Sequence, residues 1–595
     1  MKRFKIMQYS AMTIPMRFLA AAAAVFLICM PAAIAQHSAR GTAAPVGTLA
    51  SGKSAAIRTW WKDAVIYEIY PRSFQDSNGD GVGDLQGIIE RLDYLKGLGV
   101  NTLWLTPIYP SPQVDFGYDI SNYEAIDPRY GTMKDFDRLV AEAKKRGIRI
   151  VMDAVLNHTS DQNPWFLQSR ASRTNSKRDW YVWRDGKADS VPPNNWISLF
   201  GHSAWQWDAT TQQWYYHRFY KQQPDLNWRN PAVENAMFNS LRFWLDKGVA
   251  GFRLDAVFDL FEDPQLRDSG AIAGKNTYGD QNLDSTNVSN MPEVHDVLRR
   301  LRSMTNTYSG NRVLIGEVYT KSVDDLRKMY GVHHDELQLP MDMQVGFINK
   351  LDAGLFRQHI LEAETEIDGN QPLLTLDNHD NPRSWDRYGD GVHNDAIARM
   401  LAVVLLTTRA TPMLYYGEEL GMVTTDPTRK EDVKDPNGLL NWPTEKGRDG
   451  ERTPMQWNAG VNAGFTTGAT PWLPVPSSAA LANVQTESAN ANSMLNWHKK
   501  LIALRKTVPV LRNGGFKMLQ GNSGDVVAYE RTGTGASVVV ACNFSAKPVT
   551  FSLAGELKAR SVKTLAQSGG ATTATPVSLE KIDLPPYGSW AGEIR

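Results

Sequence analysis

Short apolar runs alternate with longer segments of helical periodicity through most of the chain. The apolar runs predict strands at residues 65–70, 102–105, 148–154, 251–255, 313–317, 373–377 and 413–416, with the sixth in order near 336–341. Helical periodicity predicts helices at 85–98, 136–146, 238–247, 294–304 and 396–406. Strands separated by helices imply a parallel sheet, and this many units favour a closed (β/α)8 TIM barrel of the α/β class.

Two segments interrupt this alternation, and the end of the chain differs from both. Residues 159–228 are rich in Trp, Asn and Pro and predict an irregular domain inserted after the third strand. Residues 420–480 form a second irregular segment after the eighth strand. Residues 510–595 contain alternating or buried β runs, so we expect a C-terminal antiparallel β-sandwich domain. The barrel is therefore assigned to residues 58–158 and 229–509.

The beginning of the chain has the pattern of a signal peptide. Basic residues between positions 2 and 17 precede the apolar run 18–30, and small residues at 33–35 provide a cleavage site. We therefore expect residues 1–35 to be removed on export to the periplasm or the exterior, with 36–57 as a flexible lead-in. The apolar run has 13 residues, which is short for a span, and no other apolar stretch reaches about 18 residues. We expect no membrane insertion of the mature chain, and an uncleaved N-terminal anchor is the alternative.

The composition narrows the class of protein. Lys+Arg total 64 and Asp+Glu total 64, and this balance argues against a nucleic-acid-binding protein steered by a basic surface. Charged residues at 22% and aromatic residues at 10% exclude a disordered chain. Cys29 lies in the signal segment, so Cys542 has no internal disulfide partner in the mature chain and is expected to be a buried thiol.

Several predicted strands end in acidic or polar residues, at the edge where a barrel presents its active site. Arg253 and Asp255 end one strand two positions apart, so both side chains can point to one pocket. Glu317 ends the next strand, and residues 377–380 end a later one. Singly, each acid could form a structural ion pair, but several acids at one barrel edge indicate a catalytic site. Two or more carboxylates at one mouth are typical of glycoside hydrolysis.

Four motifs carry a resemblance to a known enzyme family. They are DAVLNH at residues 153–158, GFRLD at 251–255, GEV at 316–318 and NHD at 378–380. In their order and spacing the chain, over roughly residues 58–595, resembles the α-amylase superfamily, glycoside hydrolase family 13. Three further motifs resemble its α-glucosidase and oligo-1,6-glucosidase subgroup, namely DWYVW at 179–183, QPDLN at 223–227 and RTPMQW at 452–457.

The resemblance implies a retaining mechanism at three carboxylates. Asp255 corresponds to the nucleophile that forms a covalent glucosyl-enzyme, and Arg253 would keep it ionised and oriented. Glu317 corresponds to the acid/base, which protonates the leaving oxygen and then activates water. Asp380 corresponds to the third carboxylate, which binds sugar hydroxyls and supports the oxocarbenium-like transition state. These acids suffice for the chemistry, so no organic cofactor is expected.

The resemblance also implies residues that bind the sugar. His158 and His379 would donate hydrogen bonds to hydroxyls of one ring, and Tyr118 would stack under the terminal glucose. Asp115 would pair with Arg452 and close the pocket at the non-reducing end, so that the enzyme acts from chain ends. The expected partner is therefore a small α-glucoside or oligosaccharide substrate. A salt bridge that only anchors the loop is the alternative for Asp115.

An acidic loop near the start of the barrel has oxygen ligands at alternate positions. Asp76, Asn78, Asp80 and Asp84 supply side-chain oxygens and Val82 a backbone carbonyl, which resembles the first nine positions of a calcium loop. The twelfth position is glycine, not the glutamate of an EF-hand, so the resemblance implies a single structural Ca²⁺ site, with Mg²⁺ as the alternative ion. A metal-free turn rich in Asp and Asn is the competing interpretation.

The residue after the nucleophile bears on the choice of linkage. In the resembled subgroup valine accompanies α-1,6 activity and smaller residues accompany α-1,4 activity, so Ala256 favours α-1,4 links in maltose-like substrates. Asn381 departs from the usual glutamine of oligo-1,6-glucosidases and is frequent in sucrose isomerases. An α-1,6-glucosidase and a glucosyl transferase or isomerase of the sucrose isomerase or trehalose synthase type are therefore the enzymatic alternatives. A non-catalytic relative is disfavoured because Asp255, Glu317 and Asp380 are all present.

Overall fold

The computed structural model describes residues 59–187, 191–320, 322–348, 350–521, 524–558, 562–569 and 578–595. The predicted signal peptide at 1–35 and the lead-in at 36–57 lie outside the described residues, so both stay predictions. Among the helices of the described ranges, none is long and apolar enough to cross a membrane.

Eight parallel strands form the central barrel. They are β1 (Ile66–Ile69), β2 (Thr102–Leu105), β3 (Arg149–Val155), β4 (Gly251–Asp255), β5 (Val313–Gly316), β6 (Leu339–Pro340), β7 (Leu373–Thr375) and β8 (Thr411–Tyr415). The hydrogen-bonded order runs β6, β5, β4, β3, β2, β1, β8, β7. A parallel bridge between Met341 and Leu373 joins β6 to β7 and closes the ring. The predicted (β/α)8 barrel is confirmed.

A helical segment follows each barrel strand, and the one after β5 has only six residues. These segments are Leu85–Glu90 with Leu92–Leu98, Met133–Lys145, Pro231–Asp246, Glu293–Asn306, Val323–Lys328, Ala353–Thr365, Asn394–Thr407 and Met494–Thr507. The second shows how local sequence sets a helix boundary, because Thr132 and Asp135 form a reciprocal capping box at its start. Its buried residues Phe136, Leu139 and Ala143 recur at helical spacing and face the core.

The sixth strand is the shortest of the barrel. Leu339–Pro340 lies inside the predicted range 336–341 and pairs in parallel with Ile315 and Gly316 of β5. Proline has no backbone N–H and cannot extend the ladder in both directions. A strand of two residues shows no clear hydrophobic period, although its position was predicted correctly.

The segment inserted after β3 contains more regular structure than predicted. Helix Pro164–Ala171 precedes a three-stranded antiparallel sheet, in the order Trp183–Arg184, Gln213–Tyr216, Trp205–Asp208. The interpretation as an irregular segment was too coarse, because strands of two to four residues give no clear period. A second small hairpin, Ala271–Lys275 with Gln281–Leu283, lies in the connection after β4.

The C-terminal part is an antiparallel β domain, as predicted. Its larger sheet has the order Gly515–Leu519, Val526–Thr532, Ser537–Asn543, Ser589–Ile594, Val562–Gln567. A second sheet pairs Val549–Phe551 with Ile582–Leu584. Val539 of the larger sheet and Phe551 of the smaller one belong to a common apolar core. Cys542 is fully buried, in agreement with the predicted structural thiol.

Short helices occupy several of the connections. They are Pro71–Phe74, Met343–Gly346, Ser384–Arg387, Pro436–Asn441, Val484–Ala489 and Val510–Asn513. The segment 420–480 also contains several 3-10 turns, among them Asp449–Arg452, and this segment supplies two arginines to the barrel mouth.

Candidate active site

The carboxyl ends of β4 and β5 bring three charged side chains together. Arg253 and Asp255 lie two residues apart on β4 and therefore point to one face. β5 pairs with β4 in parallel register, and the Glu317 N–H donates to the Leu254 carbonyl oxygen at 3.0 Å. This pairing places Glu317 beside Asp255, and each of the two residues is 7% exposed.

The Arg253 guanidinium is the centre of an ion-pair cluster. Its Nη1 donates to Asp255 at 2.6 Å and to both carboxylate oxygens of Asp153 at 3.0 Å. Its Nη2 lies 2.9 Å from Oε1 of Glu317. Arg253 is fully buried. One guanidinium therefore sets the relative positions of the predicted nucleophile and the predicted acid/base.

Burial and charge act in opposite directions on these carboxyl groups. Burial raises the pKa of Asp255 and that of Glu317, and the positive charge of Arg253 opposes both shifts. Because one guanidinium faces Asp153, Asp255 and Glu317, charge balance favours a proton on one of the three acids. The site can therefore hold one carboxyl group as an acid next to an ionised neighbour.

Asp380 lies at the same barrel edge, against two further arginines. Its Oδ1 accepts hydrogen bonds from Arg448 and Arg452, each at 2.9 Å. Burial alone would raise the pKa of Asp380, but the neighbouring positive charges reverse the shift and hold it below its usual value. Asp380 is therefore ionised at neutral pH.

The predicted partner of Asp115 is wrong. Asp115 pairs with Arg448, whose Nη2 donates to its Oδ1 at 2.7 Å. Arg452 donates from Nε to the His379 carbonyl oxygen at 2.7 Å and from Nη2 to Asp380. The two arginines are four residues apart in an irregular segment, so spacing along the chain could not tell them apart.

The two histidines and the tyrosine lie at the same barrel edge. His158 Nε2 is 3.0 Å from the Gln223 amide nitrogen and 3.2 Å from the Tyr118 carbonyl oxygen. Burial lowers the pKa of His158 to about 3, so this ring is neutral. The Tyr118 ring stacks on His379 at a centroid distance of 5.3 Å, and its hydroxyl is 2.8 Å from His379 Nε2. The Tyr118 hydroxyl also donates to Asp153, the partner of Arg253, at 3.1 Å. Together with the contacts of Asp380 and Arg448, these bonds place all the predicted sugar-binding residues in one network.

Sequence reasoning missed three members of this network. Glu68 on β1 lies 2.6 Å from Nδ1 of His379, and Asp435 accepts from Nε of Arg448 at 2.6 Å. Glu68 could have been recognised from the sequence, since a single acid inside an apolar strand indicates a buried polar contact. Asp435 and Arg448 had no such signal, because both lie in the irregular segment 420–480.

Ala256 has an unusual backbone conformation directly after Asp255. Its φ is 42° and its ψ is 35°, in the left-handed region that side chains other than glycine seldom adopt. This turn aims its N–H at Oε2 of Glu317, at 3.0 Å. Such strain tends to occur at functional sites. Here the strained residue directly follows Asp255 and hydrogen-bonds to Glu317, which follows β5.

In the predicted calcium loop, carboxylate oxygens accept hydrogen bonds from the backbone N–H groups of the same loop. The Asp76 carboxylate accepts the N–H groups of Asn78, Gly79 and Gly81 at 2.7–2.9 Å. Asp84 accepts from Gly87 and caps the following helix. The all-oxygen donor set fits a hard cation in its chemistry. However, in the described part of the chain no three acidic, His or Cys side chains converge on a metal position. Calcium therefore stays a proposal.

Comparison with known proteins establishes the family. Residues 68–514 match the alpha amylase catalytic domain, and residues 516–590 match the maltogenic amylase C-terminal domain. The chain belongs to the α-amylase family. It is thus a glycoside hydrolase of family 13 with a barrel and a C-terminal β domain, as the sequence motifs predicted.

Relatives of the chain include enzymes with different reactions. A probable alpha-glucosidase of Rhizobium meliloti is 40% identical over 508 residues, which cover 83% of this chain and 91% of that protein. An oligo-1,6-glucosidase of Parageobacillus thermoglucosidasius is 40% identical over 530 residues, covering 83% of this chain and 92% of the relative. The crystal structure of an isomaltulose synthase mutant from Erwinia rhapontici, in complex with sucrose, has a TM-score of 0.83 and 36% identity, with 91% of this chain and 100% of that chain covered.

Proposed function

We propose that the protein is an exo-acting, retaining α-glucosidase that removes terminal α-linked glucose from maltose-like oligosaccharides, with α-1,4 links favoured. The observation that carries this proposal is the Arg253 guanidinium, which contacts Asp255 at 2.6 Å and Glu317 at 2.9 Å. Retaining glycosidases hold their two carboxyl groups about 5–5.5 Å apart, and a single guanidinium bound to both supports a short separation.

In the first step Asp255 acts as the nucleophile and Glu317 as the acid. The Asp255 carboxylate attacks the anomeric carbon while the Glu317 proton passes to the glycosidic oxygen, so the leaving sugar departs and a glucosyl ester forms. Burial raises the pKa of both carboxyl groups, and Arg253 opposes both shifts. The shorter contact of Arg253 is with Asp255, at 2.6 Å against 2.9 Å for Glu317, so we assign the ionised form to Asp255 and the proton to Glu317. The ionised Asp380 would bind ring hydroxyls and stabilise the developing positive charge.

In the second step water takes the place of the leaving sugar. Glu317, now a carboxylate, accepts a proton from the water molecule. The water oxygen attacks the anomeric carbon, and the bond to Asp255 breaks. The anomeric configuration is retained, and Glu317 is again an acid at the end of the cycle.

The contacts of Arg448 support action at chain ends. Its guanidinium bridges Asp115 at 2.7 Å, Asp380 at 2.9 Å and Asp435 at 2.6 Å, and its side chain is 13% exposed. These three acids come from separate connections of the barrel, so Arg448 ties the connections together beside Asp380. A closed side of this kind would admit a terminal glucose but would stop a longer chain from passing through.

Ala256 supports the preference for α-1,4 links. The left-handed backbone at Ala256 costs any residue other than glycine about 1–2 kcal/mol, and a β-branched residue fits it less well than alanine does. Valine would also add two methyl groups directly after Asp255. We expect Ala256→Val to raise the ratio of isomaltose to maltose turnover. Ala256→Gly is the control, since it relieves the strain without adding bulk. An unchanged ratio in the valine variant would remove this support for the linkage.

A glucosyl transferase or isomerase is the second candidate, and the similarity to an isomaltulose synthase favours it. Both reactions start from the same glucosyl-enzyme and differ in whether water or a sugar hydroxyl reaches it. Tyr319, two residues after Glu317, is 53% exposed and offers an aromatic surface for an acceptor sugar. Asn381 donates to the Asn378 side chain at 2.9 Å, so it stiffens the loop that carries Asp380.

We also propose a metal site and export for this chain. Five oxygen donors in the loop 76–84 would bind one structural Ca²⁺, with Mg²⁺ as the alternative: Asp76, Asn78, Asp80 and Asp84 through side chains and Val82 through its carbonyl. The basic and apolar pattern of residues 1–35 supports export. Metal analysis of the purified protein and N-terminal sequencing of protein from the periplasm and the medium test these two proposals.

A product profile tests the proposed reaction. The protein is incubated separately with maltose, isomaltose, sucrose and trehalose, and the sugars are resolved by chromatography over time. Glucose released mainly from maltose supports the α-1,4-glucosidase. New disaccharides with little free glucose would move the assignment to an isomerase or transferase. Asp255→Asn is the blank, and Glu317→Gln, which keeps the shape but not the acid, should lower kcat by about 10²–10⁴-fold.

A further inference from the structure

One buried acid inside the barrel has no part in the steps above. Glu68 lies on β1, is fully buried, and contacts Nδ1 of His379 through Oε1 at 2.6 Å. Its Oε2 has no hydrogen-bond partner among the described residues. A buried carboxylate oxygen without a donor is costly, whereas the carbonyl oxygen of a neutral carboxylic acid is less so. The geometry therefore favours the protonated form of Glu68.

The other nitrogen of His379 faces two acceptors. Its Nε2 is 2.8 Å from the Tyr118 hydroxyl and 3.3 Å from Oδ2 of Asp380. The single hydroxyl proton of Tyr118 is donated to Oδ2 of Asp153 at 3.1 Å, so the Tyr118 oxygen is available as an acceptor. Asp380 is ionised and can only accept. Both neighbours therefore require a proton on Nε2 of His379.

With Nε2 protonated, the contact between Glu68 and Nδ1 has two forms. Either an ionised Glu68 accepts from an imidazolium ring, or a protonated Glu68 donates to a neutral ring. The charged groups that face Glu68 are Arg253 on β4, Asp153 on β3 and Asp380 after β7. Burial raises the pKa of Glu68 and lowers that of His379, and both directions place the proton on Glu68.

We propose that Glu68 is a positioning residue that stays protonated, donates a hydrogen bond to Nδ1 of His379, and thereby fixes the Nε2–H tautomer of that histidine. The inference rests on the proposed function. The His379 ring lies between the rings of Tyr70 and Tyr118, at centroid distances of 5.8 and 5.3 Å, which hold its plane. His379 then presents an N–H to Asp380 and to a hydroxyl of the bound sugar, while Glu68 itself touches no substrate.

Two substitutions of Glu68 separate the possible roles. Glu68→Gln keeps the size and an N–H that can donate to Nδ1, whereas Glu68→Met keeps the length but has no donor. We expect Glu68→Gln to keep kcat within about threefold and Glu68→Met to lower kcat by about 10- to 100-fold, because Nδ1 would lose its donor. KM should change less than kcat, and the pH profile of Glu68→Gln should overlay that of the wild type. Thermal unfolding of both variants identifies any loss that comes from misfolding.

Each outcome decides the proposal. If Glu68→Gln loses as much activity as Glu68→Met, Glu68 acts as a carboxylate and the proposal is overturned; it is also overturned if Glu68→Met stays fully active. Should Glu68→Met fail to fold, infrared spectroscopy decides, because the difference spectrum between wild type and Glu68→Gln should contain the C=O band of a protonated acid. Carboxylate bands in place of this C=O band would show that Glu68 is ionised and would refute the proposal. Activity is measured on whichever sugar the wild type converts, so an error in the proposed linkage does not affect this test.

Discussion

The contact between Asp115 and Arg448 yields the sharpest quantitative prediction, because the sequence pointed to Arg452 in its place. We consider a double-mutant cycle with Asp115→Asn and Arg448→Met, and a parallel cycle with Asp115→Asn and Arg452→Met. Only the first pair is in direct contact, at 2.7 Å. Arg452 contacts Asp380 and the His379 backbone instead. The two cycles therefore distinguish the observed pairing from the predicted one.

The expected coupling follows from the geometry of the pair. Unit charges about 4 Å apart interact by about 4 kcal/mol at an effective dielectric constant of about 20. Part of this energy is offset, because both side chains lose hydration and Arg448 keeps Asp380 and Asp435 as partners when Asp115 is neutralised. We expect a net coupling of about 1–3 kcal/mol for Asp115 with Arg448, which is a factor of about 5–150 in kcat/KM. For Asp115 with Arg452 we expect less than about 0.5 kcal/mol.

The assay is kcat/KM for the best substrate of the product profile, converted to an activation free energy for each variant. Thermal unfolding of every variant is recorded in parallel, so that a loss of fold is not read as a loss of binding. Equal couplings in the two cycles, or a larger coupling for Arg452, would refute the reasoning. A coupling below about 0.5 kcal/mol in both cycles would show that Asp115 serves only to anchor its loop.

Three further predictions concern stability and reactivity. Burial lowers the pKa of His498 to about 4, below the ordinary value of about 6.5, so the unfolded chain binds more protons between these values and stability falls as pH falls. We expect this histidine alone to lower the free energy of unfolding by about 2 kcal/mol between pH 7.5 and 5. His498→Gln should therefore weaken the pH dependence of the free energy of unfolding over this range, and His333→Gln, at an exposed position, should leave it unchanged. Chelation should lower the melting temperature of the wild type, and added Ca²⁺ should restore it; a melting temperature that ignores the chelator argues for a metal-free loop 76–84. Burial raises the pKa of the Cys542 thiol, so a thiol reagent should modify Cys542 only after unfolding, and rapid labelling of the native protein would contradict its buried position.

Much of the candidate site could be predicted from sequence because strand ends are local features. In a parallel barrel every strand has its carboxyl end at the same edge, so Asp255, Glu317 and Asp380 could be placed together from the sequence alone. The same rule placed His158 and His379 at this edge. Arg448 and Asp435 could not be found in this way, since they reach the site from an irregular segment that has no period.

The sequence by itself determined the alternation of strands and helices, the closed barrel, and the set of acids at its edge. The physical reason is that hydrophobic period and strand-end polarity depend on neighbouring residues along the chain. The pairing of Arg253 with Asp255 was expected from their spacing, but only the tertiary structure decided that Arg253 also contacts Glu317 and that Arg448, not Arg452, contacts Asp115. These two contacts depend on distances of a few ångströms between segments that are far apart along the chain, and no local pattern encodes them.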